Sequence, residues 1–341
     1  MTKPSNPKLL YIAVAVVIII VVASLVVWYG FMPKETTPAY PTRTIKHIVP
    51  WGAGGGTDVV MRGFMNYTQK RLPQGVTIYT VNIAGASSGL GVLELMNSPP
   101  DGYTVGTLTW DSIVTVPYFK LVEGYNLSKL RFICTVTEHP TILIVRSDAR
   151  WKNVTELLKD AKERPGEIKV GNVGMGGVWH IPVACLELKA GVRFKHIAYP
   201  GGAAELREAL LKGEIDVASI SISAAWPALK AGQVRVLLTF GASRSEVAPD
   251  IPTAKELGYE CVFGSMRVLA MPKDTPENIA KYWENLCKET AYDPAWREWI
   301  NEREPGGWTF RDSRETADYL ANVQKEAFKI LDELKAQGLL R

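Results

Sequence analysis

Residues 44–58 read Thr44-Ile45-Lys46-His47-Ile48-Val49-Pro50-Trp51-Gly52-Ala53-Gly54-Gly55-Gly56-Thr57-Asp58. The first part alternates and is rich in β-branched residues, the pattern of a strand, and the glycine run after Pro50 cannot continue it. Val59, Val60, Arg62, Gly63, Phe64 and Tyr67 then follow at helix-compatible spacing, with Thr57 or Asp58 placed to cap. A strand, a glycine turn and a helix start thus share one short stretch, which is how a βα unit begins.

The unit repeats outward from there. Val76 to Ile83 alternates like a strand, Gly85 to Gly89 is a small-residue turn, and Leu90 to Met96 is a short helix. Tyr103 to Thr109 and Arg131 to Val145 read as strands, and Val154 to Lys162 as an amphipathic helix before the strand Ile168 to Asn172. A third turn, Gly174-Met175-Gly176-Gly177-Val178-Trp179-His180, opens the helical pattern Ile181 to Leu188. The strand His196 to Tyr199 leads into Pro200-Gly201-Gly202-Ala203-Ala204 and a helix through Leu211. Val217 to Ser223, Val234 to Phe240 and Val268 to Met271 complete the strands, and Asn278 to Leu340 is mostly helical. The alternation implies an α/β fold with mostly parallel sheets covered on both faces. At 341 residues the chain exceeds what one hydrophobic core usually supports, so two domains are expected.

The four glycine turns, at Trp51 to Asp58, Ala84 to Gly89, Gly174 to His180 and Tyr199 to Ala204, are the chemical signal. Glycine lets backbone N–H groups approach a ligand closely, and a helix start offers unpaired donors and partial positive charge. In open α/β sheets such turns lie beyond the carboxyl ends of the strands, where ligands bind. Nucleotide motifs are absent: a GxGxxG frame from Gly52 meets Thr57 where glycine is required, and no GxxxxGK[ST] occurs. A small carboxylate fits better. Hydrogen bonds to a charged group contribute roughly 1.5–3 kcal/mol each and a micromolar affinity needs about 8 kcal/mol, so a few N–H donors suffice. The four turns contain neither Arg nor Lys.

Composition narrows the partners. Lys+Arg 39 nearly balances Asp+Glu 35, and the charges are interspersed, which argues against nucleic acid. Cys134, Cys185, Cys261 and Cys287 form no CxxC pair, and no HExxH or clustered His/Cys/Asp set suggests a metal, so no cofactor is expected. From Leu9 to Met32 no residue is charged, a length that covers the roughly 30 Å hydrocarbon core, and Lys3 and Lys8 precede it. The run is long for a cleaved signal peptide, and the best small-x-small site, Thr37-Pro38-Ala39, lies well beyond it. The reading is a cytoplasmic tail over 1–8, a single-pass anchor over 9–32, a linker over 33–43 and an exported body. Export would permit a disulfide, with the pairing left open by the spacing.

Together, Ile48-Val49-Pro50-Trp51 to Asp58, Asn82 to Gly91, Pro100-Asp101-Gly102-Tyr103-Thr104, Gly174 to Leu188, Tyr199-Pro200-Gly201-Gly202, Gly213-Glu214-Ile215-Asp216-Val217 through Arg235 and Pro249-Asp250-Ile251-Pro252-Thr253 carry a resemblance. The chain resembles the substrate-binding receptors of tripartite tricarboxylate transporters, an extracytoplasmic solute receptor family that includes Bordetella-type uptake receptors. The resemblance implies a type II periplasmic-binding-protein fold. One lobe would comprise 44–145 and 265–341, and the other 146–264, each with a mostly parallel sheet flanked by helices. It also implies a small organic acid held by backbone amides and ordered waters, and delivery to integral-membrane permease subunits. The corresponding positions are Trp51, Ala53, Gly54, Gly55, Gly56, Thr57 and Asp58; Ala86, Ser87 and Ser88; Gly176, Gly177, Val178, Trp179 and His180; and Tyr199, Gly201 and Gly202. The apparent anchor departs from relatives that are free in the periplasm, and Trp51 and Trp179 are bulky for cleft turns.

Two other functions fit parts of the sequence. The same binding fold could serve as sensor input to a signalling partner, which sequence does not separate from transport. Gly85-Ala86-Ser87-Ser88-Gly89 also matches the GxSxG of a nucleophile elbow. That elbow requires a late histidine as base, yet none follows His196, so no enzymatic role is expected.

Overall fold

The computed structural model describes residues 16–24, 40–199, 202–245, 248–338 and 340. The described residues fall into two units, divided between Tyr40 and Pro41. In the first, residues 16–24 are helical, with Val16 to Val22 exposed. Among the described residues no helix is long and apolar enough to cross a membrane. The expected anchor over 9–32 therefore finds no support there, and the rest of that stretch lies outside the described residues.

The second unit is built on one ten-stranded mixed sheet. Strand β1 (Ile45–Val49) runs parallel to β2 (Ile78–Asn82) and β3 (Thr104–Leu108) on its two sides. A second parallel trio has β5 (Lys169–Asn172) between β6 (Lys195–Ala198) and β7 (Val217–Ser221). Two long strands join them: β4 (Leu130–Arg146), with 17 residues, and β9 (Gly264–Pro272). Strand β9 pairs antiparallel with β3 and with the first part of β4, through Pro140. From Thr141 onward β4 pairs instead with β7 and with β8 (Val234–Thr239), both antiparallel. The expected mostly parallel sheets are thus corrected to a mixed sheet, because β4 and β9 run against the trios and link them without crossover helices. Strand β10 (Trp308–Arg311) adds a further antiparallel partner to β4.

At the junction the backbones touch. A Cβ on Gly264 would lie 2.3 Å from the His139 carbonyl oxygen, so only glycine permits β9 to begin there.

The helices fill the connections. They are α1 (Gly56–Gln69), α2 (Gly89–Met96), α3 (Trp110–Ile113), α4 (Thr115–Phe119), α5 (Val154–Glu163), α6 (Ile181–Ala190), α7 (Ala203–Lys212), α8 (Ile222–Lys230), α9 (Glu277–Ala291), α10 (Pro294–Arg303) and α11 (Ser313–Ala336). The strand expected over 217–223 stops at Ser221 because its hydroxyl accepts the Ala224 N–H and caps α8. Pro227 inside α8 hides that helix from a propensity reading.

Cys185 of α6 is bonded to Cys261, just before β9. Closing a loop of this span, 76 residues apart in sequence, is worth roughly 4 kcal/mol on the chain-entropy account. Cys134 and Cys287 are free and buried, and burial together with the neighbouring Cys287 pushes the Cys134 thiol up.

His47 shows how the core handles a polar group on its central strand. It is fully buried, with Nδ1 at 3.0 Å from Thr80 Oγ1 and Nε2 at 2.9 Å from Thr107 Oγ1. Burial, then the nearby Arg62 charge, lowers its pKa to about 3 against a smaller opposing effect of Asp58, so the ring is neutral.

Candidate functional site: a seam of glycine turns

Parallel order fixes where the turns lie. Strands β1, β2 and β3 end on one sheet edge, which gathers the turns at 51–56, 84–88 and 109–112. Strands β5, β6 and β7 likewise gather 173–180, Tyr199, Gly202 and Ser221.

The first turn is organised by Asp58. Its carboxylate accepts from Gly54 N at 2.9 Å, Arg62 Nε at 2.8 Å and Asn82 Nδ2 at 2.8 Å, and Asn82 also donates to Trp51 O. Burial would raise this carboxyl, but the Gly54 N–H, the Asn82 amide and the Arg62 charge outweigh it and hold it below the usual range. Asp58 is buried and shapes the turn, while Ala53, Gly54, Gly55 and Gly56 are exposed and Thr57 half-buried. Gly55 is the N-cap of α1 and its N–H bonds Gly52 O at 3.3 Å. The next donors, on Gly56, Thr57 and Asp58, are the helix-start N–H groups that have no partner within a helix.

Arg267 of β9 approaches this helix start. Its Nη2 lies 3.5 Å from where a Cβ on Gly56 would sit. The guanidinium is held by Glu304 through both carboxylate oxygens, at 2.6 and 2.8 Å, and His139 Nε2 lies 2.5 Å from the same carboxylate. No pattern in the sequence flagged this buried cluster, since the three residues are far apart along the chain and none lies in a glycine turn.

The second turn is conformationally costly. Ala86, Ser87 and Ser88 have φ of 46°, 51° and 81°, three consecutive non-glycine residues in left-handed conformation. Each costs of order 1 kcal/mol or more, and such outliers concentrate at functional sites. Buried Ser88 secures the turn through Ser112 at 2.8 Å, while Ala86 is exposed and Ser87 half-buried. Ser112 is also the capping-box partner of Thr109, to which Trp51 Nε1 donates at 3.1 Å. The half-buried Trp51 therefore ties the first turn to the second through α3.

The third turn repeats the logic of the first. Gly177 N reaches Gly174 O at 3.3 Å, Gly174 N donates to Asn172 Oδ1, and Gly176 N donates to His180 Nδ1 at 3.2 Å. Gly176, Gly177, Val178, Trp179 and His180 are all buried. His180, its pKa lowered to about 3 by burial and then by His196, is neutral, and one ring nitrogen is occupied by its own turn. His196 stands 4.7 Å away between rings and is held by Glu187 and Asn172.

Helices α3 and α4 bring this turn against the first two. The Thr115 hydroxyl lies 2.9 Å from Asp111 Oδ1 and 3.0 Å from Gly176 O, and a Cβ on Gly176 would collide with Phe119. A cavity of about 540 Å³ opens at this seam, lined by Ser87, Thr115, Phe119, Leu121, Met175, Gly338 and Leu340. It joins the second and third turns directly. The fourth adjoins the third through β5 and β6, with Tyr199 N donating to Asn172 O; Tyr199 and Gly202 are half-buried, and Gly201 lies outside the described residues. Sequence reasoning missed α3 and α4. The available signal was Thr109 with Ser112 three residues on, directly after the third parallel strand.

Glycine turns gathered at the strand ends of a mixed α/β sheet, two of them bordering one cavity, are the arrangement of a small-solute-binding protein class. The family described as tripartite tricarboxylate transporter family receptor matches residues 60–335, and the chain belongs to it. That family consists of extracytoplasmic solute-binding receptors, a non-enzymatic role. The chain is 30% identical over 305 residues to the UPF0065 protein in the gbd 5' region of Cupriavidus necator, covering 89% of this chain and 91% of that protein. It is also 30% identical to a solved TctC solute-binding protein from Polaromonas, with a TM-score of 0.75, 87% of this chain and all (100%) of that one covered. Malate-bound MatC from Rhodopseudomonas palustris shares the fold at 24% identity and a TM-score of 0.72, over 85% of this chain and 99% of that one.

Proposed function

We propose that the chain captures a small carboxylate between two lobes and delivers it to membrane permease subunits. The observation that carries this reading is the seam itself, where Ser87 of the left-handed second turn and Met175 of the third turn line one cavity while Trp51 and Thr109 tie the first turn to the second. The lobes are taken as 44–145 with 265–341, and 146–264, joined near Val145 at the end of β4 and Gly264 at the start of β9. A ligand carboxylate accepts the helix-start N–H groups of Gly56 and Thr57 and is enclosed by Ser87, Gly177 and Val178 from opposite sides. Because it meets both sides only when the lobes close, it shifts the population toward the closed form, which the permease reads. The malate held by MatC is a small carboxylate of the expected size.

A thermal-shift screen over organic acids tests the reading. A ligand at about 100 times its dissociation constant adds roughly 2.7 kcal/mol to stability. Gly55→Val places a branched side chain on the exposed cap of α1, where a Cβ meets only Gly52 O at 3.3 Å. It is expected to leave the ligand-free melting temperature unchanged and to weaken binding by about a hundredfold, the loss of one or two charge-assisted hydrogen bonds. Gly177→Val, whose Cβ would sit 3.6 Å from Asp111 Oδ1, is expected to lose binding and some stability as well. Unchanged affinity in both variants would remove these turns from the site.

The uncharged run over 9–32, behind Lys3 and Lys8, supports retention of the exported body at the membrane. Release of the full chain by high salt without detergent would overturn that retention.

A further inference from the structure

Asp111 is a charge that the seam leaves unanswered. It lies on α3, in the wall facing the third turn, with Oδ1 accepting from Thr115 Oγ1 at 2.9 Å and lying 3.6 Å from where a Cβ on Gly177 would sit. Thr115, whose hydroxyl holds it, is among the residues that line the cavity with Ser87 and Met175. Every other buried or half-buried carboxylate described along this edge has a cation or several N–H donors: Asp58 has Arg62, Gly54 and Asn82; Glu187 has His196 and the Phe194 N–H. Asp111 has one hydroxyl and its own backbone N–H, and among the described residues it makes no ion pair. Burial accordingly pushes its carboxyl up to about 6, against the smaller opposing effects of Thr115 and that N–H.

A carboxylate placed this way has a predictable effect on a guest. A dicarboxylate such as malate would bring two more negative charges beside it into a closing, water-poor cleft, where like charges repel more strongly than in water. A guest with an ammonium group supplies the missing counter-charge, and its own carboxylate still reaches the helix starts. We infer that Asp111 is a specificity-determining residue that selects small carboxylic acids bearing a cationic amino group over acids of the same skeleton without one. This rests on the receptor reading above and narrows its ligand class.

The test uses matched pairs that differ by one substituent: L-aspartate against L-malate, L-glutamate against L-2-hydroxyglutarate, and L-alanine against L-lactate. Each is titrated calorimetrically against the full chain at pH 7.5. The wild type is expected to favour the amino member of at least one pair by about tenfold or more, the scale set by a close charge pair in an excluded site. Asp111→Asn keeps the side-chain shape and removes the charge. It is expected to bring that pair to within about threefold, mainly by weakening the amino acid and strengthening the hydroxy acid. Asp111→Ser provides the same readout should the amide perturb Thr115. Binding of the hydroxy acids at equal or greater affinity, or a preference unchanged in both variants, overturns the inference while leaving the receptor reading intact. Failure of every acid to bind the wild type overturns both.

Discussion

Taking the ligand-free protein from pH 7 to pH 4 is expected to reduce its unfolding free energy by about 5 kcal/mol, enough to unfold a protein of ordinary stability. Two buried neutral histidines dominate. His47 and His180 have folded pKa values of about 3, whereas the unfolded chain titrates near 6.5. A depressed folded value means that the unfolded state takes the proton first. The stability each ring confers is therefore present above pH 6.5 and lost as the pH falls toward 3, by roughly 3 kcal/mol each at pH 4. Glu304, held at about 2, acts in the same direction over the lower interval from its ordinary 4.5. Asp111 acts oppositely: its raised value of about 6 costs stability above that pH and returns roughly 2 kcal/mol on acidification. Urea denaturation at half-unit pH steps measures the slope, and His47→Gln should flatten it by about half. A stability constant between pH 6.5 and 4 would contradict the neutral, buried state of both rings.

The second large effect concerns Glu304. Its carboxylate neutralises Arg267 and receives His139, all three being buried. Burial opposes its ionisation, but the Arg267 charge and the hydrogen bonds from His139 and Arg267 prevail and hold it at about 2. Removing one member of such a group leaves an uncompensated charge in the interior, at a cost of about 3–5 kcal/mol. Glu304→Leu should show that loss in chemical denaturation. The double variant Glu304→Leu with Arg267→Met should be markedly less destabilised than the sum of the single changes, since neither charge then lacks its partner. Additive losses would mean that the two groups do not depend on one another.

The glycine turns could be found from sequence because they obey a local rule: a strand that meets successive glycines must stop, and the next periodic run must be a helix. Trp51 to Asp58 and Gly174 to His180 were legible in that way, as was the resemblance they carried. What could not be read was the internal use of their N–H groups. Gly54 and Gly176 donate to Asp58 and His180 four residues on, so these side chains shape their own turns and the helix-start donors lie slightly further along. The mixed sheet was hidden for a different reason. Arg131 to Val145 reads as one strand, but its change of partner at Thr141 depends on β9, more than a hundred residues later, and no periodicity encodes that distance. Asp111 and Arg267 escaped because each acquires its meaning only from a neighbour remote in sequence.

The way β9 completes the sheet has a consequence for synthesis. Strand β3 waits for its antiparallel neighbour until residues 264–272 have left the ribosome, whereas β5, β6 and β7 have all been made by then. The nascent chain thus carries an unpaired strand edge beside β3, a template for aggregation, through about half of its production. Maturation is gated by the carboxyl-terminal third, and an early stop codon there should leave an edge-exposed species for chaperones rather than a shorter working receptor.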